Sequence, residues 1–308
     1  MTKVATVTLN VDAKGDPKAT NADKMCSYID KAADQGAELV CFPESAVYGF
    51  GCSSVEELIG VFGPKEMEKY WLQCEPVEGG ATFEAISAKA KEHNIYVIYN
   101  TYEKDELRPD IIRNTDYLVG PEGLVGRYYK VHLPGTEQLV AAMGGEFPVF
   151  DTRIGKIGMI TCYDLAFPEA ARALAVKGAN IIVAPTGWPY AEQSEDDILY
   201  RQLRSFAWIR AMENGVFMIT SNTAGLGSCG HSEIISPEGT ILAVTGWEEE
   251  MVVADLGDIS DAVALGRFRN CGGANYLKDR RPDAYMDIAT ISNTNQMNSS
   301  LLCASFNR

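Results

Sequence analysis

Strand-like and helix-like segments alternate along nearly all of this 308-residue chain, and that alternation constrains its fold more than any other feature. The alternating "KVATVTL" (3–9) leads into a helical stretch, "NADKMCSYIDKAADQGA" (21–37), with Asn21 as its expected N-cap and Gly36 as its stop. The apolar "ELVCFPE" (38–44) is a second strand, and "GATFEAISAKAKEHN" (80–94) a second helix. Strands follow in "IYVIYNTYEKD" (95–105) and in "IIRNTDYLVGPEGLVGRYYKV" (111–131), which Pro121-Glu122-Gly123 folds into a hairpin. In "GKIGMITCYDLAFPEAARALAVKG" (155–178), Ile157 to Thr161 form a buried strand, Pro168 suits a first helical turn and Gly178 ends the helix. Then come a strand "NIIVAPTG" (180–187), a long helix (194–215) and a strand "VFMITSNTAG" (216–225). A hairpin around Pro237-Glu238-Gly239 and a closing strand "EMVVADLG" (250–257) complete the series. No Ser/Gly-rich linker divides them. The expectation is one α/β domain over 1–265 and a C-terminal extension over 266–308, its polar, Asn-rich end available to a partner subunit.

Composition narrows the function. A net charge of −15 argues against nucleic acid or an anionic membrane surface as partner, and no apolar run reaches the length of a membrane span. The eight cysteines form no C-x-x-C pair, and no signal peptide precedes the first strand, so reduced thiols and a cytoplasmic location are expected. The three histidines, His93, His132 and His231, are far apart without metal-ligand spacing, which disfavours a metalloenzyme. "GKIGM" and "GLGSCG" lack the G-x-G-x-x-G turn of a dinucleotide site.

Three reactive side chains stand at the ends of strand patterns. Cys162 lies at a strand-to-helix turn, where a thiol can be exposed at the sheet's edge and helix N-terminal amides favour its thiolate; a buried apolar cysteine fits the same pattern. Glu44 follows "LVCFP" and Lys130 ends "GLVGRYYK", and each taken singly also reads as a charge surfacing into solvent. Together they make chemical sense. A thiol nucleophile needs a base, here a carboxylate whose pKa burial raises, and a cation to receive the oxyanion.

"GAELVCFPES", "GRYYKVHLPG" and "GMITCYDLAFPEAARALAVKGANIIVAPTGWP" resemble the three signature segments of the carbon–nitrogen hydrolase (nitrilase) superfamily. "FAWIRAMENGVFMITSNTAG", "GHSEIISPEGTILA" and "RRPDAY" follow in its order, so the resemblance spans roughly residues 3–285. It implies an α-β-β-α sandwich whose subunits pair through their helical faces as a homodimer or larger homo-oligomer. It further implies Glu44 as general base, Lys130 as oxyanion donor, Cys162 as nucleophile and the Tyr163 N–H as a second donor. A second glutamate is expected in the loop after the lysine; Glu137 is the choice and Glu146 competes. No cofactor or metal is implied.

The implied reaction is hydrolysis of a small amide through a thioester, with release of ammonia. Nitrilases of the superfamily usually carry Trp-Glu after the cysteine; Tyr163-Asp164 departs from that, and C-Y-D-x-x-F-P-E is similar to members acting on aliphatic amides or N-carbamoyl compounds. Omega-amidases typically carry Arg where Ala166 stands. A catalytically silent assembly module is the non-enzyme alternative. Trp188 fits either a pocket wall or the core, and His132 reads as a structural hydrogen-bonder.

Overall fold

Two six-stranded sheets stack face to face, each with helices on its outer side. The computed structural model describes residues 2–12, 14, 16–49, 74, 79–105, 108, 111–139, 141–225, 227–268 and 274–290. The first sheet contains β1 (Lys3–Thr8), β2 (Leu39–Cys41), β3 (Tyr96–Lys104), β4 (Ile112–Gly120), β5 (Gly123–Tyr129) and β12 (Glu250–Asp255), ordered β12-β1-β2-β3-β4-β5. The second contains β6 (Val149–Thr152), β7 (Gly155–Met159), β8 (Ile181–Thr186), β9 (Phe217–Asn222), β10 (Glu233–Ile235) and β11 (Ile241–Val244), ordered β11-β10-β9-β8-β7-β6. The expected α-β-β-α sandwich is what the chain adopts.

Strands buried on both faces explain the near-continuous apolar runs. Successive side chains go to opposite faces, so Val4, Leu39, Cys41, Ile181 and Val183 meet between the sheets. Ala5, Val7 and Val40 instead pack under α1 (Pro17–Asp34) and α2 (Ala81–His93). Ile182 and Ala184 pack under α3 (Pro168–Val176) and α4 (Ile198–Asn214) through Leu174, Leu203 and Ala207. Hydroxyls also cross the gap between sheets: Thr6 Oγ1 donates to the Thr220 carbonyl and Ser221 Oγ to the Val7 carbonyl, both at 2.7 Å. Truncating one of these fully buried aliphatics, such as Ile182, to alanine is expected to cost about 2–5 kcal/mol.

β1, β2 and β3 run parallel, as do β7, β8 and β9. Their carboxyl ends are where an open α/β sheet presents its ligand-binding loops. Three expectations need correction. α1 begins at Pro17, not Asn21: the proline fills the first helical position and Asp16 caps it, its carboxylate accepting the Ala19 N–H at 3.4 Å. Asn21 is a buried mid-helix clamp, its amide donating to the carbonyls of Asp12 (2.7 Å) and Val47 (2.9 Å). β6 was not among the expected strands; the closing strand β12 pairs with β1 in the first sheet.

The helix α5 (Ile259–Phe268) runs across residue 265, with Ile259 and Val263 packed into the core between the sheets. The short α6 (Met286–Thr290) is the last described element, so the Asn-rich C-terminal end lies outside the described residues. Cys26, Cys41, Cys74, Cys162 and Cys229 are free thiols, while Cys52, Cys271 and Cys303 lie outside the described residues. Among the described residues no helix is long and apolar enough to cross a membrane.

Candidate active site

Glu44, Lys130, Glu137 and Cys162, distant in sequence, converge in the seam between the sheets. Glu44 lies three residues past β2, and its backbone N–H reaches across to the Thr186 carbonyl of β8 at 3.2 Å. Lys130 follows β5, and its N–H donates to the Asn114 carbonyl (2.9 Å), extending the β4–β5 ladder by one residue. It therefore shares a face with Tyr128, which packs between the sheets, and its ammonium is carried inward rather than into solvent. Glu137 sits in a short 3-10 turn, Gly135–Leu139, directly after this strand end.

All three charged groups are buried and hydrogen-bonded. Lys130 Nζ donates to Glu44 Oε1 at 2.7 Å and to Glu137 Oε2 at 2.9 Å. The Asn114 amide donates to Glu44 Oε1 (2.8 Å) and Glu137 Oε1 (2.9 Å), and the Tyr102 hydroxyl to Glu137 Oε1 (2.8 Å). The Gly187 N–H donates to Glu44 Oε2 at 3.1 Å. Burial pulls the Lys130 ammonium toward neutrality, but the carboxylates of Glu137 and Glu44 outweigh it and hold its pKa well above the ordinary lysine value. The competing choice, Glu146, is exposed at the surface.

Cys162 opens a five-residue 3-10 turn, Cys162–Ala166, and adopts the left-handed region with φ 46°. A non-glycine residue there is strained, and it sets the thiol at a sharp strand-to-helix elbow. Asp164 braces the elbow from below: its carboxylate accepts the Thr161 N–H (2.8 Å), the Tyr128 hydroxyl (2.7 Å) and the His132 N–H (2.9 Å). His132 Nδ1 lies 2.7 Å from Asp164 Oδ1 and its ring stacks on Phe167, the structural role expected for it.

The expected low-pKa thiolate is not what the site holds. Burial pushes the Cys162 thiol well up, the Glu44 carboxylate adds to this, and Lys130 and the Gly187 N–H only partly oppose it. The helix amides invoked for the thiolate belong to α3, which starts six residues later at Pro168. Tyr163 has a partly exposed side chain, and its N–H occupies the second position of the turn, where a helical N–H has no intrahelical acceptor. Trp188 is buried; its Nε1 donates to the Leu199 carbonyl at 2.9 Å, and its ring fills the core beneath α4.

Sequence reading missed Asn114 and Tyr102. The available signal was the run Asn114-Thr115-Asp116 inside a buried strand, because unpaired polar groups are costly there. Outside the site, Asp30, Glu92 and His93 group on the outer helices with metal-ligand spacing. Lys89 Nζ already sits 2.8 Å from Asp30 and 3.0 Å from Glu92, so the chain's own cation already occupies both carboxylates.

Comparison with known proteins identifies the family. The carbon-nitrogen hydrolase family pattern matches residues 3–262. A probable nitrilase from Schizosaccharomyces pombe is 31% identical over 273 residues, covering 86% of this chain and 91% of the relative. A nitrilase from Pyrococcus abyssi is 32% identical over 295 residues, covering 92% and 99%. An omega-amidase from Homo sapiens is 30% identical over 255 residues, covering 78% and 83%. Among solved structures, an amidase from Nesterenkonia sp. AN1, with acrylamide added at its active site cysteine, superposes with a TM-score of 0.70 at 22% identity, covering 94% of this chain and 100% of that one. The chain belongs to the carbon–nitrogen hydrolase (nitrilase) superfamily as an amidase-like member, a hydrolase of carbon–nitrogen bonds.

Proposed function

We propose that this protein hydrolyses small amides through a thioester on Cys162 and releases ammonia. The observation that carries the reading is the buried Glu44–Lys130–Glu137 cluster, whose Glu44 carboxylate and Lys130 ammonium lie close enough to the Cys162 thiol to act on it electrostatically. Glu44 takes the thiol proton as sulfur attacks the carbonyl carbon. The C–N bond breaks, and Glu44 returns the proton to the leaving amine. Glu44 then takes a proton from water, whose oxygen attacks the thioester; the acid leaves and the thiol is restored. With burial and Glu44 both raising the thiol's pKa, proton transfer and attack belong to one event rather than to a preformed thiolate. Lys130 and the Tyr163 N–H receive the oxyanion, and Glu137 with Asn114 holds Lys130 in place.

Tyr163-Asp164 after the nucleophile favours amides over nitriles, and Ala166 argues against dicarboxylate monoamides. N-carbamoyl amines are the second class this reading admits. The free thiols accord with the cytoplasm. Exposed Val176 on α3, with Trp208 and Ile209 on α4, supports pairing through the helical faces as a homodimer or larger assembly, which light scattering of the purified protein tests. The deciding experiment on function is an ammonia-release screen over small amides, N-carbamoyl compounds and nitriles, with hydroxylamine trapping of the acyl-enzyme as hydroxamate. Amides or carbamoyl compounds should turn over. Fastest turnover of nitriles, or no ammonia or hydroxamate from any amide, would overturn the reading.

A further inference from the structure

Below the site, β4 buries a carboxyl that the chemistry above does not use. Asp116 is fully buried, and so are its partners Asn100 and Thr161 and the neighbouring Asn114. Asp116 Oδ1 accepts from the Asn100 amide at 2.7 Å, and Oδ2 accepts from Thr161 Oγ1 at 2.8 Å. The same Asn100 amide nitrogen donates to Asn114 Oδ1 at 2.6 Å, while its oxygen accepts the Ser45 N–H at 2.7 Å. The Thr161 hydroxyl also accepts the Asp164 N–H, closing a capping box at the start of the nucleophile turn.

The two ends of this network are the two strained turns of the site. Ser45, next to Glu44, has φ 55°, and Cys162, next to Thr161, has φ 46°. Such conformations cost about 1–3 kcal/mol each and persist only where the surroundings enforce them. Burial pushes the Asp116 carboxyl well above the usual carboxylate range, with Asn100 and Thr161 opposing and Glu44 and Asp164 adding to the rise. A carboxyl kept at that cost, with both oxygens committed, holds its partners in fixed directions.

We propose that Asp116 is a positioning residue that fixes the Cys162 turn through Thr161 and the Ser45 turn through Asn100, so one buried carboxyl sets the spacing of nucleophile and base. This rests on the roles proposed above for Cys162 and Glu44. It differs from the second glutamate of the site, which meets Lys130 directly; Asp116 reaches no reacting group except through a neighbour's hydroxyl or amide.

The test uses the isosteric Thr161→Val, the conservative Thr161→Ser, Asp116→Leu and the Asp116→Leu/Thr161→Val double variant of the full chain. Two readouts are taken: the rate of Cys162 alkylation by iodoacetamide, followed by peptide mass spectrometry, and kcat and KM on the best amide of the screen. Thr161→Val should slow both alkylation and kcat by about tenfold or more with KM within about threefold, and Thr161→Ser should restore both rates. The double variant should be less slow than the product of the two single effects, because the two changes share the Thr161–Asp116 hydrogen bond. If Asp116→Leu does not fold, the Thr161 pair decides alone. Wild-type rates in Thr161→Val, equal slowing in Thr161→Ser, or a change confined to KM would overturn the proposal. Amide turnover with unaffected Thr161→Val removes only this inference. Slowed alkylation in Thr161→Val, rescued by Ser, in a protein that turns over no carbon–nitrogen substrate supports the positioning role and overturns the proposed reaction.

Discussion

The two halves of the molecule follow one path but bury charge differently. From β1 to β5 the chain lays down strand, helix, strand, helix, strand and two antiparallel strands; from β7 to β11 it does so again, with β12 and β6 as matching edge strands. The first half buries Glu44, Lys130 and Glu137 around the site, two carboxyls to one ammonium. The second half pairs a buried carboxyl with a partly exposed cation, Glu233 of β10 with Arg204 of α4, one to one. The pair can take up a proton only by giving up its one carboxylate, whereas the cluster keeps a second carboxylate on Lys130 if Glu44 takes the thiol's proton, and Glu44 also helps hold that proton on at rest. The repeated path is scaffold, and the second carboxyl on Lys130 lies where the proposed chemistry needs a proton acceptor.

The comparison breaks most sharply at the thiol. Cys162→Ala should reduce turnover to background, a loss of about 10⁵ or more, while circular dichroism and melting stay near wild type, since the turn and its braces are unchanged. The same loss on removing Cys41 or Cys229, with Cys162→Ala active, would move the nucleophile elsewhere. Burial pushes both of those thiols up, Cys229 to about 12, with Asp116 adding to the rise at Cys41 and Asp197 at Cys229. Next in size is Glu44→Gln, which keeps shape and removes the surplus acceptor. It should cost roughly 10²–10⁴ in kcat and slow both acylation and thioester hydrolysis in pre-steady-state kinetics. Slowing of one step alone would assign the other proton transfer to a different group.

Lys130→Ala inverts the balance rather than removing it, leaving two buried carboxyls without a cation. A kcat lower by roughly 10²–10³ is expected from the lost oxyanion donor. Stability should fall as well, by about 3–5 kcal/mol, the usual result of stripping one partner from a buried ion pair. Near-normal kcat in this variant would reduce Lys130 to a structural counter-ion.

Part of this was legible from spacing and part from resemblance. The strand ends that place Glu44, Lys130 and Cys162 follow from apolar runs that end in a reactive side chain, while the sandwich and the roles of those residues came from the resemblance to the carbon–nitrogen hydrolase superfamily. What escaped was set by distance through the fold rather than along the chain. Asn21 looks like a cap because Asn favours caps, but a proline four residues earlier had already opened the helix, and only the approach of Val47 gives its amide a buried role. The thiol's raised pKa depends on Glu44 lying against it, and no local pattern around Cys162 encodes that. Asp116 sat in plain view as a carboxyl in a buried strand, and its partners, Asn100 and Thr161, come from a neighbouring strand and from the other sheet.

The smallest effect tests the balanced side of the comparison, at Glu233. Burial pushes its carboxyl up from 4.5 to about 7, with Arg204 opposing. A carboxyl whose folded pKa lies above its unfolded one binds more protons when folded, so stability declines as pH rises between the two values and is flat outside them. Wild type should therefore lose stability relative to Glu233→Gln between pH 4.5 and about 7, by about 3 kcal/mol at most. Gln also removes the charge facing Arg204, a cost present whenever Glu233 is ionised. The informative quantity is thus the change with pH in the difference between the two proteins, in which every other titrating group cancels. Urea unfolding at pH 5 and pH 8 measures it. A wild-type-minus-variant difference that moves toward the variant at pH 8 supports a pair held mainly by burial. A difference that stays constant, or moves toward wild type, means that Arg204 outweighs the desolvation of Glu233, and the contrast between the two halves would then rest on charge count alone.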